Sequence, residues 1–345
     1  MQAPVTSGWT AGGAVAVMRR GEVVFARGYG FANLETGTPA TPDTVFQIGS
    51  LTKQFTAAAM LLLQEDGKLA IDDRVSKFIG EFPASDPTTI RQLLTHTSGI
   101  ADYVGRPGFP RETRLPHSTD ELVAYVLDVP TLHTFAPGTN WQYSSSNYAL
   151  AGAIIERASG EPLERFMTTR LFGPLGMNST ALDRSADVVP GRASGYDRMT
   201  AEQIGWINTN PVDMSVPFAA GAMRSSVGDL LTWSHALTHE KVLHPESYRE
   251  MTTSVRLADG SLPTQLTKNG TRRPVHYGMG VFLAGEGKKA EISHGGAIDG
   301  FTASLFSLIG PDVSVATLVN TSPSNHLPFK EVEGIVRGEV ERSRE

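Results

Sequence analysis

Apolar and polar residues alternate near both ends of the chain, which predicts β-strands there. Ala14 to Met18 and Val23 to Tyr29 are joined through Arg20-Gly21, a short turn that suits an antiparallel hairpin. Strands are also expected near the other end, at His276 to Leu283, Glu291 to His294, Phe301 to Leu308 and Val313 to Val319. A last helix is predicted at about Phe329 to Val340.

The stretch between these strands has the pattern of helices. Ser50 to Gln64 contains the apolar run Ala57 to Leu63, so most of its faces should be buried, and Gly67 should end it. Shorter helices are expected at Thr89 to Thr95, Ser118 to Leu127, Asn147 to Ala158 and Ser226 to Leu237. This order predicts a discontinuous α/β fold of the α+β kind, in which N- and C-terminal strands form one antiparallel sheet flanked by helices.

The length of 345 residues exceeds the usual size of one domain. We therefore expect a discontinuous sheet domain, residues 11–66 plus 250–345, and a mostly helical domain, residues 67–249. The active site is expected in the cleft between the two.

Composition narrows the possible functions. The formal net charge of −6 offers no basic surplus, so we expect no nucleic-acid partner. The chain has no cysteine, which excludes disulfides, thiolate zinc sites and a cysteine nucleophile. No apolar run is long enough for a membrane span, and residues 1–10 lack a secretory signal pattern. The protein is expected to be either cytoplasmic or exported, periplasmic or extracellular, with its leader removed.

The first candidate for chemistry is Ser50-Leu51-Thr52-Lys53, at the start of a predicted helix. The spacing puts a hydroxyl and an amine on one helix face, one turn apart. An amine so placed can take the serine proton when burial or a neighbouring charge lowers its pKa. The alternative is an ordinary surface lysine near a helix start, because this spacing arises by chance about once in such a chain.

Two further segments add candidates. Tyr143, in Tyr143-Ser144-Ser145, is a potential general base, because a tyrosine held near a lysine ionises more easily. The alternative is a tyrosine that fills the core with its hydroxyl bonded. Ser293-His294-Gly295-Gly296 ends a predicted strand, where glycines let a substrate approach the backbone and His294 can donate to it. The alternative there is a strand-end histidine beside a glycine turn.

In this order, the three segments resemble the motifs of penicillin-recognising enzymes. The chain resembles the family of class C β-lactamases, D-alanyl-D-alanine carboxypeptidases, D-aminopeptidases and family VIII carboxylesterases, and this implies the β-lactamase/transpeptidase-like fold. The resemblance extends over nearly the whole chain. Its other matching stretches are Arg27 to Gly30, Thr89 to Gly99, Ala219 to Trp233 and Tyr277 to Gly280.

The resemblance implies roles for single residues. Ser50 is the expected nucleophile, Lys53 its partner and Tyr143 the general base. His294 is expected to contact the substrate or Tyr143. The backbone N–H groups of Ser50 and Ala297 are expected to form the oxyanion hole. The expected substrate-binding residues are Ser145, Gly295 and Gly296.

Two departures from the family pattern bear on the substrate. The second motif usually reads Tyr-x-Asn, whereas Ser145 stands where the Asn amide would contact Lys53 and the substrate carbonyl. A shifted register, Ser145-Ser146-Asn147, restores Ser-x-Asn, but the preceding Pro137-Gly138-Thr139 favours the first alignment. Gly295 replaces the usual Thr or Ser, which removes a hydroxyl for a free substrate carboxylate. Both departures favour ester or amide substrates without that carboxylate.

Other signals lead to no additional site. His235 and His239 are one helical turn apart, but Ala236 stands where a zinc protease needs its Glu. A solvated helix face is therefore the expected interpretation, and we expect no metal and no cofactor. No serine lies in a Gly-x-Ser-x-Gly elbow, and no dinucleotide fingerprint is present. His96 is expected to be structural.

The leading hypothesis is a serine hydrolase that forms an acyl-enzyme with a small-molecule or peptide substrate. Esterase, D-amino-acid peptidase or amidase, and β-lactamase are its variants, in that order. The alternative, which Ser145 favours, is a catalytically weak penicillin-binding or sensor protein on the same fold. Neither the natural substrate nor the oligomeric state follows from the sequence.

Overall fold

The computed structural model describes residues 5–6, 8–106, 108–109, 113–199, 205–267, 269–324 and 327–342. The strands are β1 (Gly12–Arg19), β2 (Glu22–Asn33), β3 (Thr38–Pro39), β4 (Phe46–Gln47), β5 (Ala181–Leu182), β6 (Tyr196–Arg198), β7 (Trp206–Asn208), β8 (Met223–Ser225), β9 (Thr264–Leu266), β10 (Arg272–Pro274), β11 (Phe282–Ala284), β12 (Glu291–Ile298), β13 (Phe301–Leu308) and β14 (Val313–Val319). The helices are α1 (Thr52–Glu65), α2 (Ile90–Leu94), α3 (Thr119–Leu127), α4 (Ser145–Ser159), α5 (Leu163–Met167), α6 (Gly173–Leu175), α7 (Phe218–Gly221), α8 (Val227–Thr238), α9 (Pro245–Met251) and α10 (Phe329–Arg342).

An antiparallel sheet joins the two ends of the chain. Among the described residues its strand order is β11-β12-β13-β14-β1-β2-β3. The N-terminal β1 pairs with the C-terminal β14, with Gly13 opposite Val319. Arg20 and Gly21 both have positive φ, as the predicted two-residue hairpin turn requires. The predicted α/β fold, with one antiparallel sheet made from both chain ends, is confirmed.

Helix α1 forms the centre of the molecule. Its residues from Thr52 to Leu63 are all buried, because apolar and small side chains occupy every face, as the run Ala57 to Leu63 predicts. Helix α4 packs against α1 and also against α7. Helices α2, α3 and α8 begin at a Thr or Ser whose side chain caps the first turn, and at α3 Ser118 forms a capping box with Glu121.

One predicted strand is largely wrong. In place of a strand over His276 to Leu283, the structure has a loop followed by β11, Phe282–Ala284. Gly280 has a φ of +74°, and a Cβ at this position would lie 2.6 Å from the carbonyl oxygen of Lys53. Since only glycine allows this approach, the segment packs onto α1 as a loop instead of extending the sheet.

The sequence also predicts that no segment spans a membrane and that the sheet domain ends at residue 345. None of the helices in the described ranges combines the length and apolar character that a membrane crossing needs. Residues 343–345, at the end of the predicted sheet domain, lie outside the described residues.

Candidate active site

A tight turn before α1 carries Ser50. Gly49–Leu51 form a 3-10 turn that leads directly into α1, so the regular helix begins two residues later than predicted. Gly49 has a φ of +50°, and a Cβ there would lie 2.6 Å from the backbone nitrogen of Ala297. Glycine therefore allows the serine turn to touch strand β12.

Lys53 is fully buried beside Ser50. Its Nζ donates to Ser50 Oγ at 3.1 Å and to the carbonyl oxygen of Ala220 at 2.7 Å. The same Nζ lies 4.8 Å from the centre of the Tyr143 ring. Burial lowers the pKa of Lys53 from its usual 10.5 to about 7, and the charge of Asp102 partly opposes this. A neutral amine therefore faces the serine hydroxyl in a substantial fraction of molecules near neutral pH.

Tyr143 completes the cluster, because its hydroxyl lies close enough to the Ser50 side chain to be influenced by it. Burial raises the pKa of Tyr143 above its usual value, while the neighbouring Ser50 hydroxyl acts in the opposite direction. The structure thus brings the three predicted side chains together. Because burial disfavours the tyrosinate while the amine of Lys53 loses its proton near neutral pH, Lys53 is the member of this coupled pair whose unprotonated form is available to accept a proton.

His96 holds the loop that carries Tyr143. It is completely buried, and its ring centre lies 4.3 Å from that of Tyr143. The backbone N–H of Ser144 donates to His96 Nδ1 at 3.2 Å, and the Nδ2 of Asn147 lies at the same distance from this atom. The Oδ1 of Asn147 accepts from Ser98 Oγ at 2.6 Å. The Asn147 amide is thus used in the core, which supports the alignment in which Tyr143 begins the second motif.

Asp102 is a residue that the sequence analysis missed. Its Oδ1 accepts from the backbone N–H groups of Ser145 at 3.2 Å and Val104 at 3.3 Å. Burial raises the pKa of Asp102, while these N–H groups and the charge of Lys53 lower it. No local pattern distinguishes Asp102 among the chain's 36 acidic residues, because its contact with Ser145 spans 43 residues.

Ser145 is the first residue of α4 and lines a cavity together with Ser50. The family pattern predicts a side-chain amide near Lys53 at this position. Lys53 instead donates to the backbone carbonyl of Ala220, in α7, as well as to Ser50. A main-chain oxygen, which no side-chain motif can reveal, therefore helps to orient the amine.

Strand β12 brings the third motif to the other side of Ser50. A Cβ at Gly296 would lie 1.9 Å from the carbonyl oxygen of Ile48, so this strand can reach the serine turn only with glycine here. Ala297 follows and lines two cavities with Ser50. The two residues predicted to supply the oxyanion-hole N–H groups therefore lie on segments that touch each other.

His294 is buried in β12, and its ring nitrogens are both used inside the protein. Its Nδ1 lies 2.6 Å from the carbonyl oxygen of Gly295, and its Nε2 lies 3.2 Å from the hydroxyl of Tyr277. Burial, with the charge of Lys53 as a smaller cause, lowers the pKa of His294 to about 3, so the ring is neutral. Its contact with Tyr143 is between rings, whose centres are 6.2 Å apart.

Ser50 lies between two cavities. The larger, of about 500 Å³, is lined by Ser50, Tyr143, Phe282, Ser293, His294, Gly295, Gly296, Ala297, Thr302, Ala303, Ser304, Phe329 and Glu333. The smaller, of about 220 Å³, is lined by Ser50, Tyr103, Val104, Phe109, Thr113, Ser145, Val212, Val216, Pro217, Ala220, Gly221, Ala297, Ile298 and Asp299. Ser50 and Ala297 line both cavities.

The sheet, the central helix and the serine–lysine–tyrosine cluster define a β-lactamase-like α/β protein. The family described as Beta-lactamase matches residues 1–335. The chain belongs to this family.

Two bacterial relatives agree with this assignment. PbpX of Bacillus subtilis (strain 168), whose name assigns it to the penicillin-binding proteins, is 30% identical over 289 residues, which are 84% of this chain and 65% of PbpX. The D-aminopeptidase of Gluconobacter oxydans (strain 621H) is 26% identical over 319 residues, 90% of this chain and 55% of that protein. The chain thus spans less than two thirds of the length of these curated relatives.

Among solved structures, the D-stereospecific amidohydrolase from Streptomyces sp. matches with a TM-score of 0.74 and 27% identity. The match covers 93% of this chain and 92% of the amidohydrolase. The resemblance predicted from the motifs is confirmed.

Proposed function

We propose that this protein is a serine hydrolase that forms an acyl-enzyme at Ser50 with ester or amide carbonyls. The observation that carries the proposal is the 3.1 Å hydrogen bond between the buried Lys53 Nζ and Ser50 Oγ. With a pKa of about 7, the Lys53 amine can accept the serine proton at neutral pH. The hydroxyl of Tyr143, beside Ser50, relays a proton between this pair and the leaving group.

In the first half-reaction, Ser50 Oγ bonds to the carbonyl carbon while its proton passes to Lys53. The N–H groups of Ser50 and Ala297 donate to the oxyanion of the tetrahedral intermediate. The bond to the leaving group then breaks, and the leaving group takes up a proton through Tyr143. Water attacks the acyl-enzyme with the same proton transfers, which releases the acid and restores Ser50.

For the substrate, we infer a small ester or amide with an apolar acyl side chain. The smaller cavity is walled mainly by aromatic and aliphatic side chains and has the size of an amino-acid side chain. Gly295 offers no hydroxyl to a free carboxylate. Because similar proteins are named D-aminopeptidase and D-stereospecific amidohydrolase, D-amino-acid amides and short-chain esters come before D-Ala-D-Ala peptides and β-lactams in a substrate panel.

We also propose that the chain has two domains and that the site lies in the cleft between them. The sheet domain comprises residues 11–66 plus 250–345, and the mostly helical domain comprises residues 67–249. Ser50 and Ala297 belong to the first part, whereas Tyr143 and Ser145 belong to the second. Their shared cavities support this domain division.

Covalent labelling tests the proposal. A fluorophosphonate should add one mass increment to the peptide that contains Ser50 and Lys53, and chelators should not prevent the addition. Ser50→Ala should abolish both the adduct and p-nitrophenyl ester turnover, apart from a small residual rate. Ser85→Ala, at an exposed serine, serves as the matched control and should retain both. Parental turnover by a folded Ser50→Ala protein would contradict the proposal.

A further inference from the structure

We propose a binding site for a divalent first-row transition metal ion, formed by His235, His239 and Asp312 at the end of the sheet opposite Ser50. The two histidines come from the C-terminal end of α8, and Asp312 comes from the turn between β13 and β14. The sequence alone predicts a solvated helix face for the two histidines. Their separation by one helical turn does not reveal a third ligand that comes from a distant turn.

The three side chains have nearly the spacing of metal ligands. One ligand atom from each lies within 4.8 Å of the other two. The Nε2 of His239 is 3.5 Å from the Oδ2 of Asp312. Two ligands bound to tetrahedral Zn²⁺ at about 2.1 Å are about 3.4 Å apart, so this pair already has the required separation. The ligand atom of His235 lies within 4.8 Å of the other two, so a side-chain movement must bring it closer to bind the same ion.

A backbone hydrogen bond orients His239 for metal binding. Its Nδ1 lies 2.9 Å from the carbonyl oxygen of His235, so the Nδ1–H form donates to it. Metal-binding histidines commonly use one ring N–H in this way, which fixes the tautomer and leaves the other nitrogen for the ion. In His239 the remaining nitrogen is the Nε2 that lies beside Asp312.

The surroundings of His235 also suit a ligand. Gly21, in the β1–β2 turn, lies against the ring, and a Cβ there would be 3.3 Å from His235 Nε2. Glycine thus leaves space beside the nitrogen. Asp312 is partly exposed, with a side-chain exposure of 32%, so an ion can enter from solvent.

The ligand set defines the class of ion and its role. Two imidazoles and one carboxylate suit Zn²⁺, Ni²⁺, Co²⁺ or Cu²⁺, whereas Mg²⁺ and Ca²⁺ prefer oxygen ligands throughout. The ion would link α8 to the β13–β14 turn and stabilise the folded chain. Since β13 has 8 residues and extends from the Ser50 region to this turn, the ion would lie on the order of 20 Å from Ser50 and take no part in its chemistry.

Zn²⁺ titration of the untagged protein by calorimetry, together with thermal unfolding, tests this site. We expect one Zn²⁺ per chain and a melting temperature that rises with Zn²⁺ concentration. His239→Ala, at an exposed position, and Asp312→Asn should each weaken Zn²⁺ binding by about tenfold or more. The matched control is His244→Ala, because the Nδ1 of His244 also lies near a carboxylate, 3.6 Å from Glu65 Oε2. This substitution should leave Zn²⁺ binding unchanged.

The site is contradicted if the parent protein binds no Zn²⁺, or if His239→Ala and Asp312→Asn both bind it as tightly as the parent. Equal stabilisation by Mg²⁺ would contradict it as well, because such stabilisation does not require imidazole ligands. Turnover of p-nitrophenyl esters by His239→Ala should equal that of the parent, so the test of this site is independent of the proposed hydrolase function.

Discussion

Two pairs of reactive side chains in this protein follow the same spacing rule but lie in opposite environments. Ser50 with Lys53 and His235 with His239 are each about one helical turn apart. Lys53 is fully buried, whereas the side chain of His239 is 39% exposed. Burial turns Lys53 into a base with a pKa of about 7. The half-buried His235 and the exposed His239 gain a function, in the proposed metal site, only from a third group, Asp312.

The comparison shows that local spacing brings side chains together, while distant residues decide their chemistry. Lys53 owes its orientation to the carbonyl of Ala220 and part of its charge balance to Asp102. Neither residue is near Lys53 in the sequence. Substitutions at the active site can change these two kinds of contribution separately.

Removing the groups that transfer protons should have the largest effect. Lys53→Ala and Tyr143→Phe should each lower kcat/KM on esters by about a hundredfold or more, because the first removes the group that accepts the Ser50 proton and the second removes the proton relay to the leaving group. Steady-state kinetics on a p-nitrophenyl ester measure this. Lys68→Ala, an exposed lysine just after α1, is the control and should keep the parental rate.

A double variant that combines Lys53→Ala with Tyr143→Phe tests whether the two side chains act together. If Lys53 and Tyr143 act as one unit on Ser50, the combined loss should be much smaller than the product of the single losses. Independent, fully multiplicative losses would show that the two side chains serve separate steps.

The close approach of β12 to the serine turn should be the next most sensitive feature. Gly296→Ala puts a Cβ within 1.9 Å of the Ile48 carbonyl, so β12 must shift and move the N–H of Ala297. The loss of one oxyanion donor costs about a hundredfold or more in kcat. Gly295→Ala is the matched control, because its Cβ would meet nothing closer than 3.8 Å.

Kinetics and melting temperatures of the two neighbouring variants should be measured together. We expect Gly295→Ala to lose much less activity than Gly296→Ala, with both proteins folded. Equal losses in the two variants would mean that the Gly296 contact does not position the oxyanion hole.

Much of this arrangement could be predicted from the sequence, for identifiable reasons. Strands β1, β2, β13 and β14 follow from alternation, and the pairing of Ser50 with Lys53 follows from helix geometry. Tyr143 and His294 could be placed near Ser50 only through the family resemblance. Asp102 could not be found in either way, because its contact with the start of α4 depends on how two distant segments pack.

The strand predicted at His276 to Leu283 failed for a related reason. Its apolar pattern is compatible with a strand, but Gly280 is used for a backbone approach to Lys53. Periodicity describes which residues are buried and not which backbone they are buried against.

The smallest effect should come from Asp102, which changes the environment of the buried amine without touching the substrate. Activity of the parent should fall as the pH drops through about 7, since protonated Lys53 cannot accept the proton of Ser50. The negative charge of Asp102 raises the pKa of Lys53, so Asp102→Asn should lower that pKa and move the acid limb of the kcat/KM profile to lower pH. The asparagine keeps an Oδ1 that can accept from the N–H of Ser145, so the start of α4 should keep its structure and the plateau rate should change little.

Asp128→Asn, at an exposed aspartate, should leave the acid limb of the kcat/KM profile at the parental pH. A limb that moves to higher pH, or the same limb in all three proteins, would mean that an ionisation other than that of Lys53 controls the reaction.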